Sequence, residues 1–395
     1  MRVLLTSTSG SGHFQPLVPL IRAFRVRGDD VMVVAPAALA RTLEATGVEY
    51  RLGDEPTSED ATRVWSQFSS LERRDAARLV EREWFARLCL EAMLPAVEAA
   101  IREWSPDLVV RETCEYAAAV AADAASLRHA QVGISTAAAE SRVLRGLVAP
   151  TLDERRMGLA DRVFHAPYLT KFPASLDPSP FPTTLRYRER DDVAARPLPD
   201  WWPDSDAPLV YLTLGTMAMR LGAGPSLLRA MLEALGDLDV RILVTTGPST
   251  RPEELGPVAK NVHVEAWVDQ VDVLDVAALV ICHGGSGTVF GALAAGVPLI
   301  AAPMFADQPT NARLVVDAGA GVALAEGGGS AEENTRALFE RLPRLGALVE
   351  DVLGDQRFTL AAHALAVELR SADSPATLAR RLGSVDLELT DDSPR

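Results

Sequence analysis

The segment from residue 278 to residue 303 constrains the fold of this chain more than any other part of it. It starts with an apolar run typical of a buried strand (residues 278–282), and a histidine and three closely spaced glycines follow. The pattern at residues 289–295 predicts a helix, and residues 296–303 predict the next strand. Short apolar strands that alternate with helices form parallel sheets covered on both faces. The segment therefore predicts an α/β fold.

The glycines Gly284, Gly285 and Gly287 lie where this strand turns into the helix. Glycine is needed where the backbone approaches a ligand closely or adopts positive φ. A strand that turns through glycines into a helix presents free N–H groups and the positive end of the helix dipole, which suit a phosphate. Asp307 and Gln308 follow the next strand, where open α/β sheets bind ligands. A phosphate site with hydroxyl-binding side chains one strand away indicates a sugar nucleotide.

The same alternation appears at the start of the chain and restarts at residue 209. In the first half we predict strands at residues 2–7, 30–35, 107–110 and 131–134, and a helix at residues 16–27. Residues 57–103 predict one or two amphipathic helices. Eight prolines between residues 173 and 208 are typical of a linker.

A chain of 395 residues exceeds the usual size of one hydrophobic core, so two domains are expected. We predict an N-terminal Rossmann-like domain at residues 1–185 and a proline-rich linker at 186–207. A second Rossmann-like domain follows at residues 208–385, and the tail at residues 386–395 is predicted to be disordered.

Charge and cysteine content exclude several function classes. The net charge of −15 argues against nucleic acid or an anionic membrane surface as a partner, because either requires a basic face. The N-terminal apolar run is too short for a signal peptide, and no segment has the length of a membrane span. Cys89, Cys114 and Cys282 are isolated, which predicts reduced, buried thiols in a cytoplasmic protein without a structural metal.

The glycine-rich segment with Asp307 and Gln308 resembles the donor-binding motif of the family 1, GT-B glycosyltransferases. The resemblance is closest to the actinobacterial antibiotic and natural-product branch, whose acceptors include macrolides, enediynes and aromatic polyketides. Three further motifs occur in the family's order: Gly12-His13-Phe14-Gln15-Pro16-Leu17, Leu212-Thr213-Leu214-Gly215-Thr216 and Trp267-Val268-Asp269-Gln270. The resemblance covers nearly the whole chain. It implies two Rossmann-like domains that face each other across a cleft, the acceptor in the first and the nucleotide sugar in the second, with the last helix returning to the first.

His13 lies in the loop after the first predicted strand, just before a helix. A neutral imidazole can take a proton from an acceptor hydroxyl, although a helix-capping histidine explains the position equally well from the residues alone. The resemblance implies that His13 is the catalytic base and that a carboxylate orients it. Glu112 matches that partner, Glu115 competes with it one helical turn further on, and either could be a solvated acid at a helix start.

The resemblance also assigns donor-binding residues, which group by the part of the nucleotide sugar that they bind. For the diphosphate they are His283, Gly285, Ser286, Gly287 and Thr288, with Thr216 as a second phosphate contact. Thr216 could instead be an ordinary helix N-cap. Trp267 and Val268 correspond to the nucleobase site, although Trp267 could simply pack at a domain edge. Asp307 and Gln308 match the pair that binds sugar hydroxyls, and we also expect Ser11 and Gly12 to contribute. Asp269 stands where proline is common in the family, a departure that we expect to matter little.

Gly291 stands where UDP-sugar-dependent plant relatives carry a glutamate that holds the ribose hydroxyls. The missing carboxylate favours a deoxyribose nucleotide and hence a TDP-activated, often deoxygenated, sugar. Two other patterns are misleading. Gly10 and Gly12 lack the third glycine of a dinucleotide fingerprint. Asp204 and Asp206 imitate a metal-binding pair but lie in the predicted linker.

The sequence therefore predicts an inverting, metal-independent glycosyltransferase that moves a (deoxy)sugar from a TDP-sugar to a hydroxyl of a lipophilic natural-product aglycone. Its partners are these two small molecules; no cofactor beyond the co-substrate, no nucleic acid and no membrane span are expected, and the protein is a monomer or homodimer. The alternatives are a UDP-sugar-dependent transferase of the same fold, a sugar-nucleotide epimerase or hydrolase on that fold, and a catalytically silent nucleotide-binding auxiliary protein.

Overall fold

The computed structural model describes residues 1–189, 195–220, 224–247 and 250–384 of the chain. It divides into two compact units. The N-terminal unit comprises Met1–Phe68, Arg74–Asp192 and Ser371–Arg395, and the C-terminal unit comprises Ser69–Arg73 and Val193–Arg370. The predicted domain boundaries stay a prediction, and the predicted tail at residues 386–395 lies outside the described residues.

The N-terminal unit is built on seven parallel strands in the order β3-β2-β1-β4-β5-β6-β7. The strands are β1 Arg2–Thr6, β2 Asp30–Pro36, β3 Glu49–Gly53, β4 Leu108–Glu112, β5 His129–Val132, β6 Tyr168–Thr170 and β7 Thr184–Arg186. The central strands are buried because their apolar side chains face helices on both sides of the sheet, as their near-continuous apolar runs require.

The helices of this unit connect successive strands. They are α1 Ser11–Phe14, α2 Val18–Arg27, α3 Ala40–Thr46, α4 Ser58–Phe68, α5 Arg73–Ala77, α6 Leu90–Trp104, α7 Ala117–Ala124, α8 Ala137–Val143, α9 Ala149–Arg155 and α10 Leu159–His165. Two π-helical segments, Arg78–Cys89 and Leu144–Val148, interrupt this series and pack against each other. Such wide turns are uncommon and occur frequently at functional sites.

The C-terminal unit repeats this architecture with six parallel strands in the order β10-β9-β8-β11-β12-β13. The strands are β8 Leu209–Thr213, β9 Arg241–Thr245, β10 Val262–Glu265, β11 Leu279–Cys282, β12 Leu299–Ala301 and β13 Gly321–Ala323. The helices are α11 Gly215–Arg220, α12 Gly224–Leu235, α13 Gln270–Leu274, α14 Ser286–Ala295, α15 Gln308–Asp317, α16 Ala331–Arg341, α17 Leu345–Gly354 and α18 Gln356–Ser371.

The last described helix, α19 Pro375–Gly383, packs against α2 in the N-terminal unit. Its apolar face completes the core on that side, where Leu378, Ala379 and Leu382 are buried. The Arg27 guanidinium donates a hydrogen bond to the Ala379 carbonyl at 2.6 Å. Within the residues described above, no helix combines the length and apolar composition that crossing a bilayer requires.

Each sheet has one point where the strand order reverses direction, between β1 and β4 in the first and between β8 and β11 in the second. Ligands of open α/β sheets bind at the carboxyl ends of the strands at such points. The prediction of two parallel-sheet, Rossmann-like units is confirmed. The register pairs Thr6 with Arg111 and Thr213 with Cys282, so the segments that follow these strands start side by side.

Several local predictions differ from the structure. The strand predicted at residues 131–134 runs from His129 to Val132, and the one predicted at residues 296–303 is limited to Leu299–Ala301. The strand predicted at residues 107–110 runs from Leu108 to Glu112, which makes Glu112 a buried strand residue and not a solvated acid at a helix start. The helix predicted from residue 289 begins at Ser286. Residues 57–103 form three α-helices and a π-helical segment instead of one or two helices. The first helix ends at Phe68, and the helical turns change from α to π geometry at Arg78.

Candidate active site

His13 is placed by the turn that follows β1. Gly10 adopts φ +113°, a conformation that favours glycine, and its carbonyl accepts the backbone N–H of His13 at 3.2 Å. The His13 side chain is 21% exposed. Its ring lies against Phe85 of the first π-helical segment, with 5.1 Å between ring centroids. One face of the imidazole is therefore fixed by packing while part of the ring stays accessible.

Glu112 ends the neighbouring strand β4, and its side chain is fully buried beside His13. Its Oε1 atom lies 3.3 Å from Nδ1 of His13. The same Oε1 accepts the hydroxyl of Thr8 at 2.6 Å, and the Thr8 hydroxyl oxygen lies 3.0 Å from His13 Nδ1. The other oxygen, Oε2, accepts the Cys114 backbone N–H at 2.6 Å. Both carboxylate oxygens are thus hydrogen-bonded, as a buried charge requires.

The electrostatics of this pair follow from their contact. Burial alone would lower the pKa of His13, but the charge of Glu112 and its hydrogen bond raise it above the ordinary 6.5, with a smaller contribution from Glu81. Burial alone would raise the pKa of Glu112, but His13, Thr8 and the Cys114 N–H bring it below its ordinary value. Glu112 is therefore ionised at neutral pH and stabilises the protonated form of His13.

Glu115, the competing partner, has other contacts. Its carboxylate accepts the backbone N–H groups of Ala117 and Ala118, each at 3.0 Å, at the start of α7. The hydroxyl of Thr6 donates to it at 2.7 Å. The structure thus brings Glu112 to His13 and engages Glu115 at a helix start.

Arg111 holds the loop that follows Glu112, and its side chain is fully buried. Its guanidinium donates to the carbonyls of Glu112 at 3.1 Å and Thr113 at 2.8 Å, and to the Gln131 side chain at 2.8 Å. It also lies over the Tyr116 ring, 5.6 Å from the centroid. A buried cation whose donors satisfy successive carbonyls fixes the path of the backbone between β4 and α7.

In the C-terminal unit, β11 turns into α14 through the predicted phosphate loop. Gly284 adopts φ +86°, and a Cβ there would lie 3.0 Å from the Gln308 carbonyl, so only glycine fits without strain. Gly285 is the N-cap of α14, and no side chain among the described residues caps this helix. The first N–H groups of α14, on Ser286, Gly287 and Thr288, are therefore available to an anion.

His283 packs in the same loop against Gly215, the first residue of α11. A Cβ on Gly215 would approach the His283 ring to 2.5 Å, and Gly215 adopts φ +71°. Burial lowers the pKa of His283 to about 4, partly offset by a hydrogen bond to the Thr213 backbone. His283 is thus neutral at physiological pH. Thr216 follows Gly215 in α11, but its side chain lies outside the described part of the structure.

The phosphate loop is hydrogen-bonded to Asp307, the first residue of the predicted sugar-binding pair. The hydroxyl of Ser286 donates to Oδ2 of Asp307 at 2.5 Å. The buried amide of Asn311 donates to this Oδ2 at 2.9 Å, to the Ser286 oxygen at 3.0 Å and to the Gly284 carbonyl at 2.9 Å. Oε1 of Gln308 accepts the backbone N–H groups of Met304 and Phe305. These bonds fix the start of α15 relative to the start of α14.

The predicted nucleobase site follows β10. Trp267 is 69% exposed, so its indole does not pack into the core. Asp269, the residue that departs from the family pattern, caps α13: its Oδ1 accepts the Val271 N–H at 3.2 Å. Gln270 donates to the Thr288 hydroxyl at 3.3 Å. A Cβ on Gly291 would lie 3.4 Å from Gln270 Oε1, an ordinary contact distance.

One group of side chains in the described residues has metal-ligand spacing: His13, Glu112 and Cys114, whose ligand atoms lie within 4.8 Å of one another. Hydrogen bonds with Thr8 account for the closeness of His13 and Glu112, and burial raises the pKa of the Cys114 thiol well above its ordinary value. Asp204 and Asp206 are exposed. All three cysteines are buried free thiols, as predicted.

Three residues of the site, Thr8, Arg111 and Asn311, were not predicted from the sequence. For Thr8, the only local signal is its place among hydroxyl residues before His13. Arg111 and Asn311 stand next to assigned residues, but a buried arginine and a buried asparagine cannot be told from surface residues by type alone.

Comparison with known families gives two matches that cover most of the chain. Residues 22–215 match the N-terminal domain, and residues 229–385 the C-terminal domain, of the family described as erythromycin biosynthesis protein CIII-like. Among curated proteins, the L-demethylnoviosyl transferase of Streptomyces niveus is 29% identical over 99% of this chain and 100% of its own length. The 10-deoxymethynolide desosaminyltransferase of Streptomyces venezuelae is 28% identical over 97% of this chain and 96% of its own.

Solved structures show the same fold. The spinosyn rhamnosyltransferase SpnG superimposes with a TM-score of 0.77 at 23% identity, covering 97% of this chain and 100% of that protein. The glycosyltransferase SsfS6 of Streptomyces sp. SF2575, complexed with thymidine diphosphate, gives a TM-score of 0.74 at 24% identity over 97% of this chain and 99% of that one.

Proposed function

Because this chain belongs to the erythromycin biosynthesis protein CIII-like family and has the GT-B glycosyltransferase fold, we propose that it transfers a (deoxy)sugar from a TDP-sugar to a hydroxyl of a lipophilic natural product, with inversion at the anomeric carbon. The curated relatives include proteins named as an L-demethylnoviosyl transferase, a 10-deoxymethynolide desosaminyltransferase and an aclacinomycin-T 2-deoxy-L-fucose transferase. The resemblance deduced from the sequence is confirmed at this level. The donor nucleotide, the inversion and the residue roles are our proposals.

In the proposed reaction, Nε2 of His13 takes the proton of the acceptor hydroxyl as its oxygen attacks the anomeric carbon. The C–O bond to the sugar forms while the bond from the anomeric carbon to the diphosphate oxygen breaks. Attack from the side opposite the leaving group inverts the configuration. Glu112 stabilises the imidazolium that forms, since its buried carboxylate lies 3.3 Å from Nδ1.

The C-terminal unit binds the donor in this proposal. The uncapped start of α14 provides hydrogen-bond donors to the diphosphate, whose negative charge grows as the bond breaks, and the neutral His283 is proposed to contact the same group. Asp307 and Gln308 bind sugar hydroxyls, and the exposed indole of Trp267 stacks on the base beside the backbone of Val268. Ser11, Gly12 and Thr216 are proposed as further donor contacts.

The proposal of TDP rests on Gly291. A glycine there provides no carboxylate for a ribose 2′-hydroxyl, and the neighbouring Gln270 presents an uncharged amide instead. SsfS6 and SpnG have been solved with thymidine diphosphate, which fits a deoxyribose nucleotide. Metal independence is also a proposal, because the assigned chemistry needs only protein groups. A cytoplasmic location and a monomeric or homodimeric state remain predictions of the sequence analysis.

The observation that carries the proposal is the contact of Thr8, Glu112 and His13 at the carboxyl ends of β1 and β4. The test is a mass-spectrometric screen of TDP- and UDP-sugars against hydroxylated aglycones, repeated with excess EDTA. We expect a mass gain of one sugar from TDP donors that survives EDTA, and an inverted anomeric configuration by NMR. Binding of TDP without transfer to any acceptor would favour the silent auxiliary protein, and transfer from UDP-sugars alone would favour the UDP-dependent alternative.

A further inference from the structure

The hydroxyl of Thr8 lies between His13 and Glu112. The Thr8 oxygen is 3.0 Å from His13 Nδ1, whereas the nearest carboxylate oxygen of Glu112 is 3.3 Å away. Good N–H···O hydrogen bonds span about 2.7–3.2 Å, so the shorter contact of the imidazole is with the hydroxyl. Thr8 is 2% exposed, and its backbone N–H also donates to Glu112 Oε1 at 3.1 Å. Its side chain is therefore held in place by the fold.

A threonine hydroxyl carries one proton, and its position here determines the proton on the neighbouring ring. The proton points to Glu112 Oε1, the short 2.6 Å contact with a buried carboxylate. Only lone pairs of the Thr8 oxygen then face His13 Nδ1, so Nδ1 must be the donor in that contact. In the neutral ring this leaves the Nε2 lone pair free, which is the state that a base needs.

We infer that Thr8 is a positioning residue that transmits the influence of Glu112 to His13 and holds the neutral imidazole in its Nδ1–H tautomer. The inference rests on the proposed function only where it concerns turnover. The hydrogen-bond arrangement itself can be measured on the protein without donor or acceptor.

Thr6 provides a matched control. It lies on β1, two residues before Thr8, is fully buried, and donates its hydroxyl to Glu115 at 2.7 Å. Thr6→Val and Thr8→Val each delete one buried hydroxyl that donates to a buried glutamate. Only the second deletion removes a contact with His13. Thr8→Ser keeps the hydroxyl and removes only a methyl group.

The experiment is nitrogen NMR on protein labelled with ¹⁵N-histidine, with the His13 signal assigned from a His13→Gln variant. Above the pKa of His13, we expect the Nδ1–H form to dominate in wild type, Thr8→Ser and Thr6→Val, and Thr8→Val to show a mixture with the Nε2–H form. Thermal melts confirm that each variant is folded.

Turnover is the second readout. We expect Thr8→Val to lower kcat roughly tenfold, as the loss of one hydrogen bond to a charged group predicts, with little change in KM for the nucleotide sugar. Thr8→Ser should restore kcat, and Thr6→Val should leave it unchanged. A dominant Nδ1–H form in Thr8→Val, or an equal loss in Thr6→Val, would overturn the inference. If the wild type transfers no sugar, the proposed function fails while the NMR comparison still decides the role of Thr8.

Discussion

Ser286 at the start of α14 donates its hydroxyl proton to Asp307 just before α15, across 2.5 Å. The family resemblance implies different roles for these residues, binding of the diphosphate for Ser286 and of the sugar for Asp307. Their contact, shared with the buried amide of Asn311, means that neither side chain is oriented independently. Binding of the two parts of the donor should therefore be coupled.

This coupling can be measured with a double-mutant cycle of Ser286→Ala and Asp307→Asn. Residues in one hydrogen-bond network show interaction energies of about 0.5–3 kcal/mol. We expect the TDP-sugar affinity of the double mutant to exceed the additive value by such an amount in calorimetry. Thr288→Ala, which removes a hydroxyl bonded to Gln270, is the comparison and should couple to Asp307→Asn more weakly. Strict additivity of Ser286→Ala and Asp307→Asn would contradict the prediction.

His13→Ala should reduce turnover by roughly two to four orders of magnitude, the usual contribution of a general base. The donor residues are untouched, so affinity for the nucleotide sugar should remain near that of the wild type. Steady-state kinetics with a non-acidic acceptor hydroxyl, together with donor titration, measures both quantities. Transfer at a nearly wild-type rate would rule out His13 as the base.

The pH dependence of kcat/KM should follow the raised pKa of His13. A base must be neutral, so kcat/KM should fall as pH decreases through the pKa of His13, which lies above 6.5 because Glu112 outweighs burial. In Glu112→Gln the charge is lost while burial remains, so the pKa of His13 falls and the acid limb moves to lower pH, with a reduced maximum.

Glu115→Gln is the matched control for this profile. It changes a buried glutamate that caps α7 and does not contact His13. Its acid limb should coincide with that of the wild type. If the acid limb of the kcat/KM profile moved in Glu115→Gln and stayed in place in Glu112→Gln, Glu115 and not Glu112 would be the partner of His13.

Glu140 should make the unfolding free energy of the protein depend on pH. Burial raises the pKa of this carboxyl to about 8, and Oε1 accepts the N–H groups of Ile134 and Ser135. The unfolded chain loses this proton near pH 4.5 while the folded protein keeps it to about 8, so Glu140 lowers stability as pH rises through this window. Glu140→Gln removes this effect. Its unfolding free energy relative to wild type should increase by roughly 3–4 kcal/mol between pH 5 and pH 8 in urea titrations.

Glu83→Gln serves as the control, because hydrogen bonds from Arg87 lower the pKa of Glu83 to about 2. A lowered carboxyl pKa contributes stability that is lost only as pH falls through that value. The variant should therefore be less stable than wild type by a similar amount at pH 5 and pH 8. Equal pH dependence of wild type and Glu140→Gln would show that Glu140 is ionised in the folded protein.

The nucleotide preference is tested at Gly291. Without a carboxylate for the ribose, the 5-methyl group of thymine is left to favour TDP, by on the order of 0.8 kcal/mol when buried. Calorimetry should show TDP binding as tightly as UDP or several-fold more tightly, and Gly291→Glu should shift the preference towards UDP. A Cβ fits here, since Gln270 and Leu274 lie 3.4 and 3.5 Å away. Gly291→Gln adds the same bulk without charge and should shift the preference less. Tenfold tighter binding of UDP than of TDP by the wild type would refute the prediction of a TDP-sugar donor.

The sequence determined the architecture and the identity of most residues proposed for the site. The alternation of apolar runs, glycine turns and helices reflects backbone and burial requirements that act locally, so it predicted two parallel-sheet units. The residues of the phosphate loop are contiguous in the chain, and their spacing carries the signal. The same holds for Asp307 and Gln308, which follow a strand directly.

Tertiary structure decided the relations between residues far apart in the chain. Whether Glu112 or Glu115 meets His13 depends on the register of β4 against β1 and on where β4 ends, and residue type does not encode either. The position of Thr8 between base and carboxylate, the burial of Arg111 and the bonds of Asn311 follow from the same cause. The hydroxyl, guanidinium and amide groups of these side chains are common on protein surfaces. Only the packing of neighbouring strand ends brings them together in a site.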